Sequence, residues 1–204
     1  MPNDVNIPRR RLLAGSAGLA VFAALPAQAV AVTTAEAEAY VDKLVREVLA
    51  VVNSGLPEAT VLKKFGQTFR RYGDVAIIAR SSLGVAWRRA TPSPRSAYTD
   101  AFSTKILNKY GRQFSSYRGA TFTITGSRDF GRKGILVQSE VKQRGEAPFE
   151  IEWQLSDRSG SLKVFNLIVE GVSMLSTARE EVGVMLEKRG GDIDKLIAHL
   201  KAAG

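Results

Sequence analysis

Few residues in this chain could do chemistry. The 204 residues include no cysteine and a single histidine, His199. Thiolate catalysis, structural disulfides and cysteine-built zinc sites are therefore excluded, and any Ser-His pair would have to be assembled around His199. Ser173 stands beside a turn glycine in an apolar setting, in Gly171-Val172-Ser173-Met174-Leu175. That is not the G-x-S-x-G elbow of a hydrolase, because Leu175 occupies the place of the second glycine. Ser173 reads instead as the N-cap of a helix. Glu170 is either a buried acid or a solvated carboxylate at a strand end. Asp192-x-Asp194 lacks the other ligands of a calcium loop, and the glycines form no phosphate loop. The expectation is a protein that is not an enzyme, with no catalytic residue, metal or cofactor.

The elements that surround these residues read clearly. Val41, Leu44, Val45, Val48, Leu49 and Val52 recur at helical spacing and predict a first helix, ended by Asn53-Ser54-Gly55. Pro57 opens a second helix, carrying Val61, Leu62, Phe65 and Phe69. Asp74 caps a third that Gly84 stops. Thr91-Pro92 and Ser93-Pro94 each supply a cap followed by proline, which predicts a long helix to about Tyr117. Its stripe of Tyr98, Phe102, Ile106, Tyr110, Phe114 and Tyr117 suits a core face or the wall of a cavity.

The period then changes to two. Residues 121–130, 134–143, 149–156 and 162–170 read as four strands joined by short turns, an antiparallel meander. Phe149, Ile151, Trp153 and Leu155 alternate with polar residues, so that strand has one wet face. Val164, Phe165, Leu167, Ile168 and Val169 do not alternate, so the last strand is covered on both faces. Two helices follow, the second capped by Asp192. The expected fold is α+β: a four-stranded curved antiparallel sheet packed against about six helices. Such a sheet either fills its core or leaves an apolar pocket between sheet and helices.

Residues 1–29 read as a signal peptide: Arg9-Arg10-Arg11, an apolar stretch from Leu12 to Leu25, and Ala27-Gln28-Ala29 before the expected cleavage. The stretch is shorter than the roughly 20 residues a bilayer span needs. The arginines resemble a twin-arginine signal, and the choice between that route and the general one stays open. Residues 30–204 are then one domain. Without Asp4 and the three arginines it keeps 26 basic and 19 acidic residues, a net +7. Export argues against nucleic acid as the partner of that charge and favours anionic lipid or an acidic protein.

One resemblance runs through the exported part. Gly84, Trp87-Arg88, Ala90-Thr91-Pro92, Tyr117-Arg118-Gly119, Ile168-Val169-Glu170-Gly171-Val172-Ser173, Arg179 and Leu196-Ile197-Ala198-His199-Leu200 keep an order and spacing that resembles the MlaC family, the toluene-tolerance periplasmic proteins of the Mla lipid transport system. The likeness covers about residues 36–201. Thr177-Ala178 replaces the family's usual Asn-Tyr, and Asn166-Leu167 departs from its usual Asp-Val. The resemblance implies a monomeric periplasmic carrier with phospholipid as cargo, shuttling between an outer-membrane lipoprotein complex and an inner-membrane ABC transporter and so maintaining outer-membrane lipid asymmetry. A hopanoid-associated carrier of the same family and a small cone-fold enzyme acting on an apolar substrate are the alternatives.

Facing directions then nominate the pocket residues. These are Val75 and Ile78 from the third helix, and Phe102, Ile106 and Tyr110 from the long one. The sheet supplies Val137, Ile151, Trp153 and Val169, and the segment after it Val172, Met174 and Leu175. Each also reads as plain core. Arg88, Arg89 and Arg95 are assigned to the pocket mouth or a docking face, the alternative being a solvated face. Arg179 either contacts a head group or pairs with Glu170.

Overall fold

A computed structural model describes residues 32–111 and 116–203. The expected signal peptide, residues 1–29, lies outside the described residues, as does Phe114.

Helix α1 (Thr34–Val52) begins with a reciprocal cap: the Thr33 hydroxyl accepts from Glu36 N, and the Glu36 carboxylate accepts from Thr33 N. Helices α2 (Glu58–Tyr72) and α3 (Val75–Leu83) meet at Gly73-Asp74, where Asp74 caps α3 by accepting from Ile77 N at 3.0 Å. A short α4 (Val85–Arg89) follows at once. It was not expected, because five residues are too few to display a period. Gly84, at φ 61° and ψ −126°, ends α3 and starts α4. Helix α5 (Pro92–Gly111) has proline at its first position, as expected.

Among the described residues the sheet has five strands in the order β1 (Thr121–Asp129), β2 (Ile135–Lys142), β3 (Phe149–Ser156), β4 (Lys163–Val169) and β5 (Val172–Ser173), every neighbouring pair antiparallel. Four strands were expected. The fifth is a two-residue strand, too short for alternation to reveal. Register slips once between Ile124 and Gly126 of β1 and once between Asn166 and Val164 of β4. Such bulges bend a strand and strengthen its twist. Helices α6 (Met174–Glu187) and α7 (Ile193–Ala202) complete the described chain.

The β4–β5 connection explains why an apolar strand runs through Glu170-Gly171 and on into apolar residues. Val169 pairs with Val172, so only these two residues make the turn. Both have positive φ, 48° for Glu170 and 76° for Gly171, which is what a type I′ hairpin turn demands. Glu170 is held in this unfavourable conformation by Glu150: Glu170 N donates to Glu150 O at 3.1 Å, and the Glu170 carboxylate accepts from Glu150 N. Ser173 then caps α6 by accepting from Ser176 N at 3.2 Å.

Two apolar clusters result. Helix α1 lies across the sheet, and its Ala37, Val41, Leu44 and Val45 pack with Val137, Val141, Ile151, Trp153 and Leu155. Helices α3, α5, α6 and α7 form the second cluster around Tyr98, Phe102, Val182, Leu196 and Leu200. The two groups meet where α3 and α6 pack on β4. The α2–α3 junction is also pinned to β4, with Asp74 N donating to Val164 O at 2.8 Å.

Candidate functional site

The structure distributes the twelve nominated pocket residues over both clusters and the ground between them. Val137, Ile151 and Trp153 are buried in the sheet cluster, and Val169 packs against it. The Trp153 indole is fixed there: Nε1 donates to Ser139 Oγ at 2.9 Å, and Ser139 donates to Ile151 O at 3.1 Å. Phe102 is buried in the helical cluster, stacked on Tyr98 with ring centroids 5.6 Å apart, and Ile78 and Ile106 pack beside it. The Ser82 hydroxyl donates to Ala79 O and lies 2.8 Å from the Tyr98 hydroxyl, and burial pushes the Tyr98 phenol well above its ordinary range.

The remaining five lie outside these interiors. Tyr110 is half-buried, with the Lys109 ammonium 5.2 Å from its ring centre and paired with Glu181. Met174 and Leu175 are half-buried at the start of α6. Val172, on β5, is 53% exposed. Val75 lines a cleft described below. Facing directions alone did not distinguish the helix that covers the sheet from those that pack elsewhere. Because α1 takes the sheet's apolar face, Val137 and Trp153 meet α1 and are separated from the cluster of Phe102.

The nominated arginines sort differently. Arg95 is a local brace: its Nε donates to Trp87 O at 3.0 Å, and its guanidinium lies 5.5 Å from the Trp87 ring centre. Arg88 and Arg89 are exposed at the end of α4, on a helix that also exposes Val85. Arg179 does not pair with Glu170, whose carboxylate is engaged by Glu150. Its guanidinium lies instead against Gly84, with Nε and Nη2 each 3.5 Å from where a Cβ would stand. Arg179 therefore joins the α3–α4 corner that carries Arg88 and Arg89.

Sequence reasoning missed Asn166. This buried side chain donates from Nδ2 to Gln154 Oε1 at 3.0 Å and to Ser173 Oγ at 2.9 Å, while its Oδ1 accepts from Leu175 N at 2.9 Å. It ties β3 and β4 to the first turn of α6. Its signal was a polar residue inside a strand otherwise apolar on both faces, which implies a buried hydrogen-bonding partner.

A cleft of about 470 Å³ opens between the α2–α3 junction, α5 and the start of β4. Arg70, Asp74, Asp100 and Lys163 line it together with Val75 and the hydroxyls of α5. Asp74 is buried, and its Oδ2 has no hydrogen-bond partner among the described residues. Among the described residues no group of three or more His, Asp or Glu side chains could hold a metal. No described helix is long and apolar enough to cross a membrane.

These features define an α+β domain in which an open antiparallel meander is covered by helices. The same fold occurs in a solved structure of a phospholipid-binding protein from Ralstonia solanacearum in complex with a phospholipid, with a TM-score of 0.72 and 22% identity, covering 82% of this chain and 96% of that one. The chain belongs to the MlaC protein family, which matches residues 42–202. It is similar to the toluene tolerance protein Ttg2D of Pseudomonas putida, 25% identical over 59% of this chain. It is also similar to the intermembrane phospholipid transport system binding protein MlaC of Haemophilus influenzae, 27% identical over 58% of this chain. The matched part spans 56% of the length of each relative.

Proposed function

We propose that this protein is a periplasmic phospholipid carrier, exported by a signal peptide cleaved after Ala29 and serving an inner-membrane ABC transporter and an outer-membrane lipoprotein complex. The observation that carries the reading is family membership across residues 42–202. The fold shared with a phospholipid-binding protein supports it. The acyl chains are assigned to the seam where α3 and α6 pack on β4, which Ile78, Met174, Leu175 and Ile168 border with half-buried apolar side chains. Arg88, Arg89 and Arg179, at the α3–α4 corner, are assigned to docking.

Magnitudes fit this division of labour. Each methylene moved out of water is worth about 0.8 kcal/mol, so two chains of roughly 16 carbons gain about 25 kcal/mol gross. That exceeds the practical ceiling of about 20 kcal/mol for non-covalent affinity. A loaded carrier does not release such a lipid into water. Transfer between bilayer and pocket exchanges one apolar medium for another and is close to neutral, so delivery is controlled by docking and needs no catalytic group.

The test is extraction. Delipidated protein is incubated with phospholipid vesicles and separated from them by size, and phosphorus is measured in the protein fraction. The carrier reading expects phospholipid to travel with the protein. A protein fraction free of phosphorus at every vesicle composition overturns it.

A further inference from the structure

The β1–β2 hairpin ends in Arg128-Asp129-Phe130-Gly131-Arg132-Lys133, all of them exposed. A single exposed apolar side chain is ordinary on a protein surface, but the setting of Phe130 is not. The residue is 45% exposed and belongs to neither apolar cluster. Its ring meets a cation instead, with the Arg128 guanidinium 5.8 Å from the ring centre.

The tip is also tied down. Phe130 N donates to Gly134 O at 2.9 Å, Lys133 N to Phe130 O at 3.2 Å, and Gly134 N to Gly131 O at 2.9 Å, so residues 131–133 close a 3₁₀ turn. Gly134 lies so close to β3 that a Cβ there would collide with the backbone oxygen of Leu155. Phe130 is thus held out in water by a fixed loop, which leaves little ordering for a partner to impose.

The charge around the ring has one sign in excess. Arg128, Arg132 and Lys133 form no ion pair among the described residues. The Asp129 carboxylate is turned onto the backbone, accepting from Gly131 N at 2.7 Å. Strand register puts the β3–β4 turn at the same end of the sheet, since Asp129 pairs with Ile135, Ile135 with Leu155, and Ser156 with Lys163. That turn brings a further exposed cation, Arg158, beside Asp157. The tip rises from the β1 edge, whereas α3 packs on β4, so it is separate from the corner of Arg88 and Arg89.

A protein partner is recognised over a broad patch, and a hairpin tip offers little area. A bilayer surface suits a narrow tip: aromatic rings settle at head-group level, and lysine and arginine beside them are drawn to anionic lipid. We propose that the β1–β2 tip is a peripheral membrane contact, in which Phe130 enters the head-group layer of an anionic bilayer and Arg128, Arg132 and Lys133 meet its phosphates. The contact does not rest on the carrier reading.

Co-sedimentation with vesicles tests it. Wild type should bind vesicles of phosphatidylglycerol and phosphatidylcholine in equal parts, bind pure phosphatidylcholine at least about tenfold more weakly, and be released by salt. Phe130→Ser should weaken binding to the anionic vesicles about tenfold, and Phe130→Trp should bind at least as well as wild type. Arg132→Gln with Lys133→Gln should also cost about tenfold or more. The same charge removed at the opposite end of the sheet, by Lys142→Gln with Arg144→Gln, should change binding less than about twofold. Thermal unfolding of each variant confirms that the fold is kept. Absent binding, which leaves the tip to an acidic protein, overturns the proposal. So do equal binding of both vesicle types, an unaffected Phe130→Ser, and equal losses from the two charge pairs. Phosphorus in the protein fraction is read alongside: tip-dependent binding without extraction upholds the contact and overturns the carrier reading, and extraction without tip-dependent binding does the reverse.

Discussion

Asn166 donates from Nδ2 to Ser173 Oγ across 2.9 Å, and the same amide accepts from Leu175 N through Oδ1. One buried side chain in β4 thereby sets where α6 begins, and with it the position of Met174 and Leu175 on the proposed lipid seam. Ser173 is both N-cap and partner of Asn166, which gives the serine beside Gly171 a structural role in place of a nucleophilic one.

Asn166→Ala should cost about 2–4 kcal/mol, since its hydrogen bonds to Gln154 and Ser173 are lost and Leu175 N is left without its acceptor. Ser173→Ala should cost about 1 kcal/mol, the usual value of an N-cap, plus a smaller loss at Asn166. Urea unfolding midpoints measure both. Equal stability of Asn166→Ala and wild type would show that α6 is placed by its apolar contacts alone.

Gly171→Val should be costly for another reason. No atom lies within 4 Å of a Cβ placed there, so there is room for a side chain. The cost comes from φ 76°, a region that a β-branched residue enters only with strain of about 1–3 kcal/mol. Glu170→Asn keeps a residue type that tolerates positive φ, but its shorter amide gives up the carboxylate contact with Glu150 N. Thermal unfolding should therefore rank wild type above Glu170→Asn, and Glu170→Asn above Gly171→Val.

How legible this was differed by element. The helices with long periodic faces and the strands that alternate were readable, because burial on one face leaves a repeat in the chain. Asp74, Ser173 and Asp192 were readable as caps, and each accepts the expected backbone hydrogen bond. Helix α4 and strand β5 were not, since five and two residues carry no period. The partition of apolar side chains was also hidden. Trp153 of β3 and Phe102 of α5 both read as buried, yet they belong to different clusters, because periodicity records burial without recording the neighbour. Arg179 shows the same limit: its guanidinium lies over the bare face of Gly84, a neighbour that no charge pattern announces.

Arg179→Ala should leave stability within about 0.5 kcal/mol of wild type, as the side chain is exposed and makes no ion pair among the described residues. Gly84→Ala should cost about 1–3 kcal/mol through its backbone conformation. If the α3–α4 corner is the docking face, Arg88→Glu with Arg89→Glu should slow lipid uptake from anionic vesicles, and added salt should slow wild type toward the variant. Uptake that ignores both salt and charge reversal would move docking elsewhere on the surface.

Alkaline pH should destabilise the fold through its tyrosines. Burial raises Tyr40 from an ordinary 10.0 to about 12, and burial carries Tyr98 higher still. Below about pH 10 these phenols are neutral in both folded and unfolded chains, and their contribution is fully present. Above it the unfolded chain loses protons that the folded chain retains, so stability falls as pH rises from about 10 to 12. Tyr40→Phe and Tyr98→Phe should flatten the fall in melting temperature over that window. An unchanged slope in both would locate the alkaline sensitivity in other groups.

Native mass spectrometry of the purified protein tests the central claim most directly. The account predicts a species heavier than the polypeptide by the mass of a phospholipid, lost on delipidation and regained after incubation with vesicles. A spectrum showing the bare polypeptide mass alone, both as purified and after attempted reloading, would contradict it.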